Sequence, residues 1–376
     1  MKIAIVTDWL TVYAGAERVI EQMIVCFPEA DIFAVADFLP KDQRAFLQGK
    51  TVNTSMIQHL PFAKRYYRYY LSLMPLAIEQ LDLSAYDLIL SSSHAVAKGV
   101  ITGPHQQHIC YMHSPMRYAW DLQSQYLQES HLEHGVRSWI TRYLLHRLRL
   151  WDVASAARVD HFLCNSRYIA QRIKKVYRRD ATVIYPPVNI ENQENNTAAF
   201  LPTKRDFYIT ASRLVPYKKI SLIIEAFKQM PDKHLIVIGD GPDMSRIKQN
   251  KAQNIDILGY QPTPVLKNYL SQARAFVFAA IEDFGITLVE ALACGTPVIA
   301  FSQGGASEIV KDIRQHGDKG TGILYQQQQA SAIIDAVKYF ETCSFSPSLC
   351  KESTQLFSIN AFKHQLKEFV ANVATP

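Results

Sequence analysis

Short apolar runs recur along the chain at Lys2–Thr7, Asp87–Ser92, Gln107–Met112, Val159–Cys164 and Ala181–Tyr185. They return at Asp206–Ala211, His234–Ile238, Ile255–Leu258, Ala275–Ala279 and Val298–Phe301. Runs without polar alternation predict strands buried on both faces, as in a parallel sheet covered by helices. Helical period separates many of them, as over 137–156 and Ser221–Met230, and closes the chain with Phe362, Leu366, Phe369 and Val373 on one stripe. The clearest unit is Ala275–Val310. An apolar strand leads to a loop with two acids, then to a short helix from about Ile286. Gly295-Thr296-Pro297 stops the helix and a second apolar strand follows, a β-α-β pattern. The expected class is α/β with parallel sheets.

One break stands out, the polar P-P-V-N-I-E-N-Q-E-N-N-T-A-A-F-L-P beginning at Pro186. It predicts a Rossmann-like domain over 1–188, a linker over 189–202, a second Rossmann-like domain over 203–356, and a final amphipathic helix over 357–376 able to pack back on the first domain. A chain of 376 residues can supply two cores. The net charge of +6 is too mild to argue for nucleic acid, and most of it lies in residues 1–188, with 21 Lys and Arg against 16 Asp and Glu. Within that half, residues 61–70 (P-F-A-K-R-Y-Y-R-Y-Y) and 137–149 interleave bases with aromatic and aliphatic residues and contain no acid. Such stretches suit either an anionic membrane surface or a solvated helix face over core tyrosines. Six cysteines without paired spacing, a first strand entered directly at the N-terminus and no bilayer-length apolar run lead us to expect a cytoplasmic protein, peripheral on the inner face of the cytoplasmic membrane if those segments bind lipid.

The chemically distinctive residues share one location. Asp8, His94, His113, Arg213, Gly239, Glu282 and Gly304 all follow the carboxyl ends of predicted strands, the edge at which open α/β sheets bind ligands. Two such sheets facing each other would form a cleft lined by both sets. Arg213 and Lys218, with helix N-terminal amides, can neutralise a diphosphate. Glu290 can accept two ribose hydroxyls and Glu282 hydroxyls of a sugar. Phe284, Gly285, Ile286 and Thr287 offer amides at a helix start, and Gly239-Asp240-Gly241 is a tight turn that lets backbone approach a ligand. Taken singly, each has a plainer reading: Glu282 as a helix N-terminal charge, Glu290 as a surface acid, Arg213 as an ion-pair partner, Gly15 as an ordinary turn. His105, His108, Cys110 and His113 do not converge on a strand, so no metal site is expected there. No D-x-D occurs to hold a cation on a diphosphate. The first loop lacks G-x-G-x-x-G, which disfavours a nicotinamide oxidoreductase.

The motif E-D-F-G-I-T-L-V-E followed by A-L-A-C-G-T-P-V-I-A resembles that of the retaining glycosyltransferases of family 4, which have the GT-B fold. S-R-L-V-P-Y-K resembles the family's G-R-L-x-x-x-K, with Ser212, Tyr217 and Lys219 departing from the usual residues and Arg213 and Lys218 keeping their spacing. G-D-G-P and G-G-A-S-E-I-V also fit, and A-G-A-E-R-V resembles the G-G-A-E loop with Ala14 for its first glycine. S-S-S-H-A-V-A-K-G and Y-M-H-S-P-M-R-Y-A-W look like a bacterial polysaccharide-assembly branch. The resemblance implies a catalytic set of His113, Glu282, Arg213 and Lys218. It implies donor contacts from Gly15, Gly239, Asp240, Gly241, Phe284, Gly285, Ile286, Thr287, Leu288 and Glu290, and acceptor-side residues Asp8, His94 and Arg117. It further implies a nucleotide-sugar donor, UDP-glucose favoured over GDP-mannose, a glycan or lipid-linked oligosaccharide acceptor, and no cofactor or metal. A non-catalytic nucleotide-sugar-binding protein and a sugar-nucleotide epimerase are the competing readings.

Overall fold

The computed structural model describes residues 1–130, 132–190 and 206–374. Most of the expected linker, residues 191–202, lies outside them. The chain divides into two compact units, Met1–Pro187 with Phe362–Pro376, and Val188–Ala361. Each is a Rossmann-like parallel sheet, the expected class.

The first sheet has seven strands: β1 (Ile3–Leu10), β2 (Asp31–Asp37), β3 (Val52–Thr54), β4 (Leu88–Ser93), β5 (Gln107–Met112), β6 (His161–Cys164) and β7 (Ala181–Val183). They lie in the order β3-β2-β1-β4-β5-β6-β7. β1 runs further than its apolar stretch suggests, because Trp9 and Leu10 still pair with Ala36 and Asp37. Alternate residues of β1 feed opposite faces, as strand geometry requires. Ile5 packs with Val19, Ile20, Met23 and Ile24 of helix α1 (Gly15–Cys26). Ala4 and Val6 pack beneath Tyr67, Met74 and Ile78, and beneath Leu145 and Leu148 of helix α2 (Gly135–Ala156).

Helix α2 is also held by a buried ion pair. Lys98 Nζ lies 2.8 Å from Asp152 Oδ1, both residues fully buried, and donates to Ser155 Oγ at 2.7 Å. Asp152 additionally accepts from Trp120 Nε1 at 2.7 Å and Tyr177 Oη at 3.0 Å. Two buried charges are tolerable only when their remaining hydrogen-bonding capacity is met in this way.

The second sheet holds β8 (Tyr208–Ala211), β9 (Leu235–Ile238), β10 (Ile255–Gly259), β11 (Ala275–Phe278), β12 (Val298–Phe301) and β13 (Gly322–Tyr325), in the order β10-β9-β8-β11-β12-β13. Helix α3 (Ile286–Ala293) links β11 to β12 and buries Leu288, Val289, Ala291 and Leu292.

The terminal helix α4 (Ile359–Ala374) belongs to the first unit from Phe362 onward. Phe362, Leu366 and Val370 join the core beside α1, and the Phe362 ring meets Tyr111 edge-on at 5.9 Å. Leu366→Ala should lower stability by about 2–5 kcal/mol through the cavity it leaves. Lys367→Ala, one residue on and exposed, should change it by less than about 0.5 kcal/mol. Urea unfolding of the two variants checks both.

Candidate functional site

In both sheets the chain winds one way from its first strand and then the other. The change of direction falls between β1 and β4 in the first unit and between β8 and β11 in the second. Beyond the carboxyl ends of such a strand pair no crossover covers the edge, and ligands of open α/β sheets bind there.

In the second unit Lys218, from the turn after β8, forms a close ion pair with Glu282 Oε1, from the loop after β11. The pair spans the switch point, and each side chain keeps 18% of its exposure. Around it the loops interlock through backbone. Leu214 N–H donates to the Asp240 carbonyl at 2.9 Å and Asp243 N–H to that of Leu214 at 3.1 Å. Gly239 has φ +138°, and a Cβ there would stand 1.8 Å from the Ser212 carbonyl oxygen; one on Gly241 would stand 2.3 Å from that of Leu214. On the other side Gly305 N–H donates to the Glu282 carbonyl at 2.8 Å. A Cβ on Gly304 or Gly305 would meet the carbonyl oxygen of Glu282 or Phe284 at 2.3 or 2.1 Å. Only glycine permits these approaches.

Gly285 caps α3 with φ +106°, and the helix then presents the first-turn amides of Ile286 and Thr287. Leu288 N–H is already bonded to the Gly285 carbonyl at 3.0 Å, and Phe284 is buried with its ring edge-on to Phe357 at 5.4 Å. Leu288 therefore contributes shape rather than an open amide, and the donors at this helix start are Ile286 and Thr287. Glu290 is half-buried one turn into α3, and Arg213 and Asp240 are exposed. Lys219, where the resembled family commonly has glycine, adopts φ +57°, the left-handed region glycine enters without strain.

In the first unit the sequence places Asp8 beyond a strand, whereas it lies within β1 and is fully buried. Its Oδ2 accepts from the His94 and Ala95 amides at 2.6 and 3.0 Å, and its Oδ1 from those of Val96 and Ala97 at 2.6 and 2.7 Å. His94 Nδ1 lies 3.0 Å from Oδ2. Asp8 is thus a positioning residue for the loop after β4, with its oxygens occupied, rather than a group offered to an acceptor. Burial pushes its carboxyl up, but His94 and the backbone donors pull harder and hold it at about 2. Burial likewise pushes His94 down, and the Asp8 carboxylate more than offsets it, so the imidazole titrates above its ordinary value. His94 sits edge-on to Trp9 at 4.7 Å.

His113, from the end of β5, bonds through Nε2 to Ser92 Oγ at 2.8 Å, and its carbonyl accepts from Asn165 Nδ2 at 3.0 Å. Burial, with His94 nearby, lowers it to about 3, so its ring is neutral near pH 7. Arg117 is half-buried on the segment that follows, close enough to His94 to oppose its protonation. Gly15 opens α1, and the Ala14 N–H donates to Glu17 at 2.9 Å. Glu17 is a residue the sequence reading passed over. Its carboxyl is pushed up by burial and its neighbours include His94. The signal for it was the acid of A-G-A-E at the third helical position, where it completes a cap. Among the described residues no cluster of three or more His, Cys, Asp or Glu is arranged to hold a metal ion.

Two family models together span most of the chain. One described as Glycosyltransferase Family 4 matches residues 13–192, and one described as Glycosyl transferases group 1 matches residues 191–361. An uncharacterized glycosyltransferase of Methanocaldococcus jannaschii is 30% identical over 158 residues, which are 41% of this chain and 43% of that protein. A GDP-mannose-dependent monoacylated alpha-(1-6)-phosphatidylinositol monomannoside mannosyltransferase of Corynebacterium glutamicum is 36% identical over 114 residues, 26% of this chain and 30% of that one. The chain thus spans less than half the length of these curated relatives. The solved lipopolysaccharide outer core galactosyltransferase WaaB superposes over 100% of both chains with a TM-score of 0.68 at 17% identity, a likeness of fold.

The Asp8–His94 pair makes a pH prediction. Asp8 titrates lower in the folded chain than its ordinary 3.8, so its stabilisation is complete above about pH 4 and lost as pH falls towards about 2. His94 titrates above its ordinary 6.5, so its share is complete below that pH and lost as pH rises through the raised value. Asp8→Ala should cost about 3–5 kcal/mol. In chemical unfolding across pH, the difference between wild type and variant should be largest between about pH 4 and 6.5 and shrink on either side.

Proposed function

This chain belongs to the glycosyltransferases of family 4 with the GT-B fold, and from that membership we propose that it transfers a hexose from a nucleotide sugar to a glycan or lipid-linked oligosaccharide acceptor in bacterial polysaccharide assembly. The observation that carries the reading is the Lys218–Glu282 pair across the β8/β11 switch point, flanked by the α3 N-terminus and the glycine turn at Gly239–Gly241. An ammonium, the exposed Arg213 and helix-start amides at one sheet edge suit a diphosphate. A carboxylate in contact with that ammonium suits the hydroxyls of the sugar attached to it.

Each residue then has a part. Arg213 and Lys218 stabilise the charge that grows on the diphosphate as the bond from sugar C1 to its oxygen breaks. Glu282 orients the hexose and tethers Lys218, while Glu290 accepts the ribose hydroxyls. The Gly239–Gly241 turn and the Phe284–Leu288 backbone shape the donor pocket. The acceptor hydroxyl bonds to C1 on the face the diphosphate leaves, its proton passing to a departing phosphate oxygen, so the anomeric configuration is retained. His94, His113 and Arg117 form the acceptor-side group on the other sheet, Asp8 fixing the loop that carries His94. His113 acts as a neutral imidazole, a hydrogen-bonding group rather than an acid. With two fixed cations on the diphosphate, the reaction needs no metal.

UDP-glucose is the first reading of the donor, on the frequency of UDP donors in the family. GDP-mannose is the second, favoured by the named GDP-mannose dependence of the Corynebacterium glutamicum relative.

A thermal-shift panel of UDP, GDP and ADP, followed by turnover with the matching sugars, tests the donor; stabilisation by none of them would sink the assignment. Lys218→Ala and Glu282→Ala should each lower turnover by about 10²–10³-fold, with Glu282→Ala still binding the nucleotide. Arg213→Ala should weaken nucleoside diphosphate binding by roughly 10-fold or more. Wild-type turnover should survive chelator, and the product anomer, read by NMR, should match the donor's. Nucleotide binding without turnover under any acceptor would favour a binding protein, and sugar-nucleotide conversion without acceptor an epimerase.

A further inference from the structure

At the open edge of the first sheet, Asp8 is held more firmly than its burial demands. A carboxylate has about four lone-pair sites, and the His94, Ala95, Val96 and Ala97 amides occupy them at 2.6, 3.0, 2.6 and 2.7 Å. The His94 ring, with Nδ1 3.0 Å from Oδ2, is a fifth partner. Without it the carboxylate would still be satisfied, so the burial of Asp8 does not account for the imidazole. The dependence runs the other way. A carboxylate that only accepts fixes the proton on Nδ1 and turns Nε2 away from the core. The His94 side chain keeps 36% of its exposure, and among the described residues no group bonds to its Nε2.

Trp9, the next residue of β1, stands beside that ring and is partly exposed. The indole and imidazole centroids are 4.7 Å apart with their planes at 88°. On its other side the indole leans on Tyr67 at 5.5 Å. Two planes at a right angle form a corner, an apolar wall with a hydrogen-bonding edge next to it. Among the described residues no group bonds to Trp9 Nε1 either. Such a corner suits a pyranose, whose C–H groups pack on an aromatic ring while its hydroxyls seek polar atoms at the rim. Glu17 of α1 and Arg117 of the segment after β5 also face His94. Two acids thus face one imidazole and one guanidinium, a balance that suits an uncharged ligand rather than a phosphate or a carboxylate.

We propose that Trp9 and the Asp8-held His94 form a subsite for an uncharged sugar ring, the terminal unit of the acceptor. The C–H face of the sugar lies on the indole, and one of its hydroxyls bonds to His94 Nε2. A hydroxyl both donates and accepts, so the bond forms with the neutral or the charged imidazole. Asp8 acts as a positioning residue here, because it sets the direction of Nε2 without touching the ligand. The subsite takes the glycan end of an acceptor rather than a lipid diphosphate. That the sugar belongs to an acceptor rests on the sugar-transfer reading; that the corner binds a sugar does not.

Saturation-transfer difference NMR on the full chain tests it, with the methyl α-glycosides of glucose, mannose and galactose as probes, with and without excess UDP and GDP. At least one glycoside should bind, with saturation strongest on the C–H protons of one ring face. Trp9→Ala and His94→Ala should each weaken that binding by about 10-fold, whereas Trp9→Phe should stay within about 3-fold of wild type. Glu282→Ala should leave it unchanged, since that residue follows β11 of the other sheet. The corresponding hexose 6-phosphate should bind no better than the uncharged glycoside. Absence of binding by any glycoside, or a preference for the phosphate, would overturn the proposal. So would binding indifferent to both alanine variants in chains with wild-type circular dichroism. UDP and GDP binding is read alongside: its absence from wild type would count against the sugar-transfer reading while a Trp9-dependent glycoside signal would still uphold the subsite.

Discussion

A parallel sheet wound outward in both directions from its first strand has one place where neighbouring loops diverge, and both sheets of this chain put opposite charges across it. Asp8 meets His94 between β1 and β4; Lys218 meets Glu282 between β8 and β11. Everything chemically distinctive is hung on these two points. The strands must be buried to form the sheets, so polar groups can reach solvent only at the edges, and only at the divergence is an edge left open to a ligand.

Equal topology leads to unequal chemistry because burial differs. Asp8 is fully buried, and a carboxylate there must have its oxygens satisfied; four amides and an imidazole do so and make it a fixed part of the loop. Glu282 and Lys218 retain partial exposure and keep capacity to bind other partners. One pair is a clamp and the other a contact surface. The Lys98–Asp152 pair extends the clamp inward, tying the loop that Asp8 organises to helix α2.

Much of this was legible in the sequence, and the rest was not for identifiable reasons. The apolar runs located ten of the thirteen strands among the described residues. β3 escaped because V-N-T has a single apolar residue and so no run, β2 because acids close both ends of its apolar stretch, and G-I-L-Y of β13 because no second run beside it marks a strand. The spacing of Arg213, Lys218, Glu282 and Glu290 was readable because these residues sit on local turns of known geometry. Asp8 was misplaced because its partners lie 86 to 89 residues away, and a pattern read locally cannot see them. Composition marked α2 as basic and aromatic, but only the packing of Leu145 and Leu148 reveals that its remaining apolar stripe faces outward.

The glycine contacts at the second sheet's edge carry a dynamic consequence. Gly239 and Gly241 lie against Ser212 and Leu214, and Gly304 and Gly305 against Glu282 and Phe284, backbone to backbone. Loops joined by rotatable side chains can fluctuate one at a time, whereas loops keyed by their main chains move together or not at all. Their amides would then exchange with solvent as one cooperative opening rather than as independent events. A surface normally assembled from the most mobile parts of a protein would in this chain behave like an extension of the sheet.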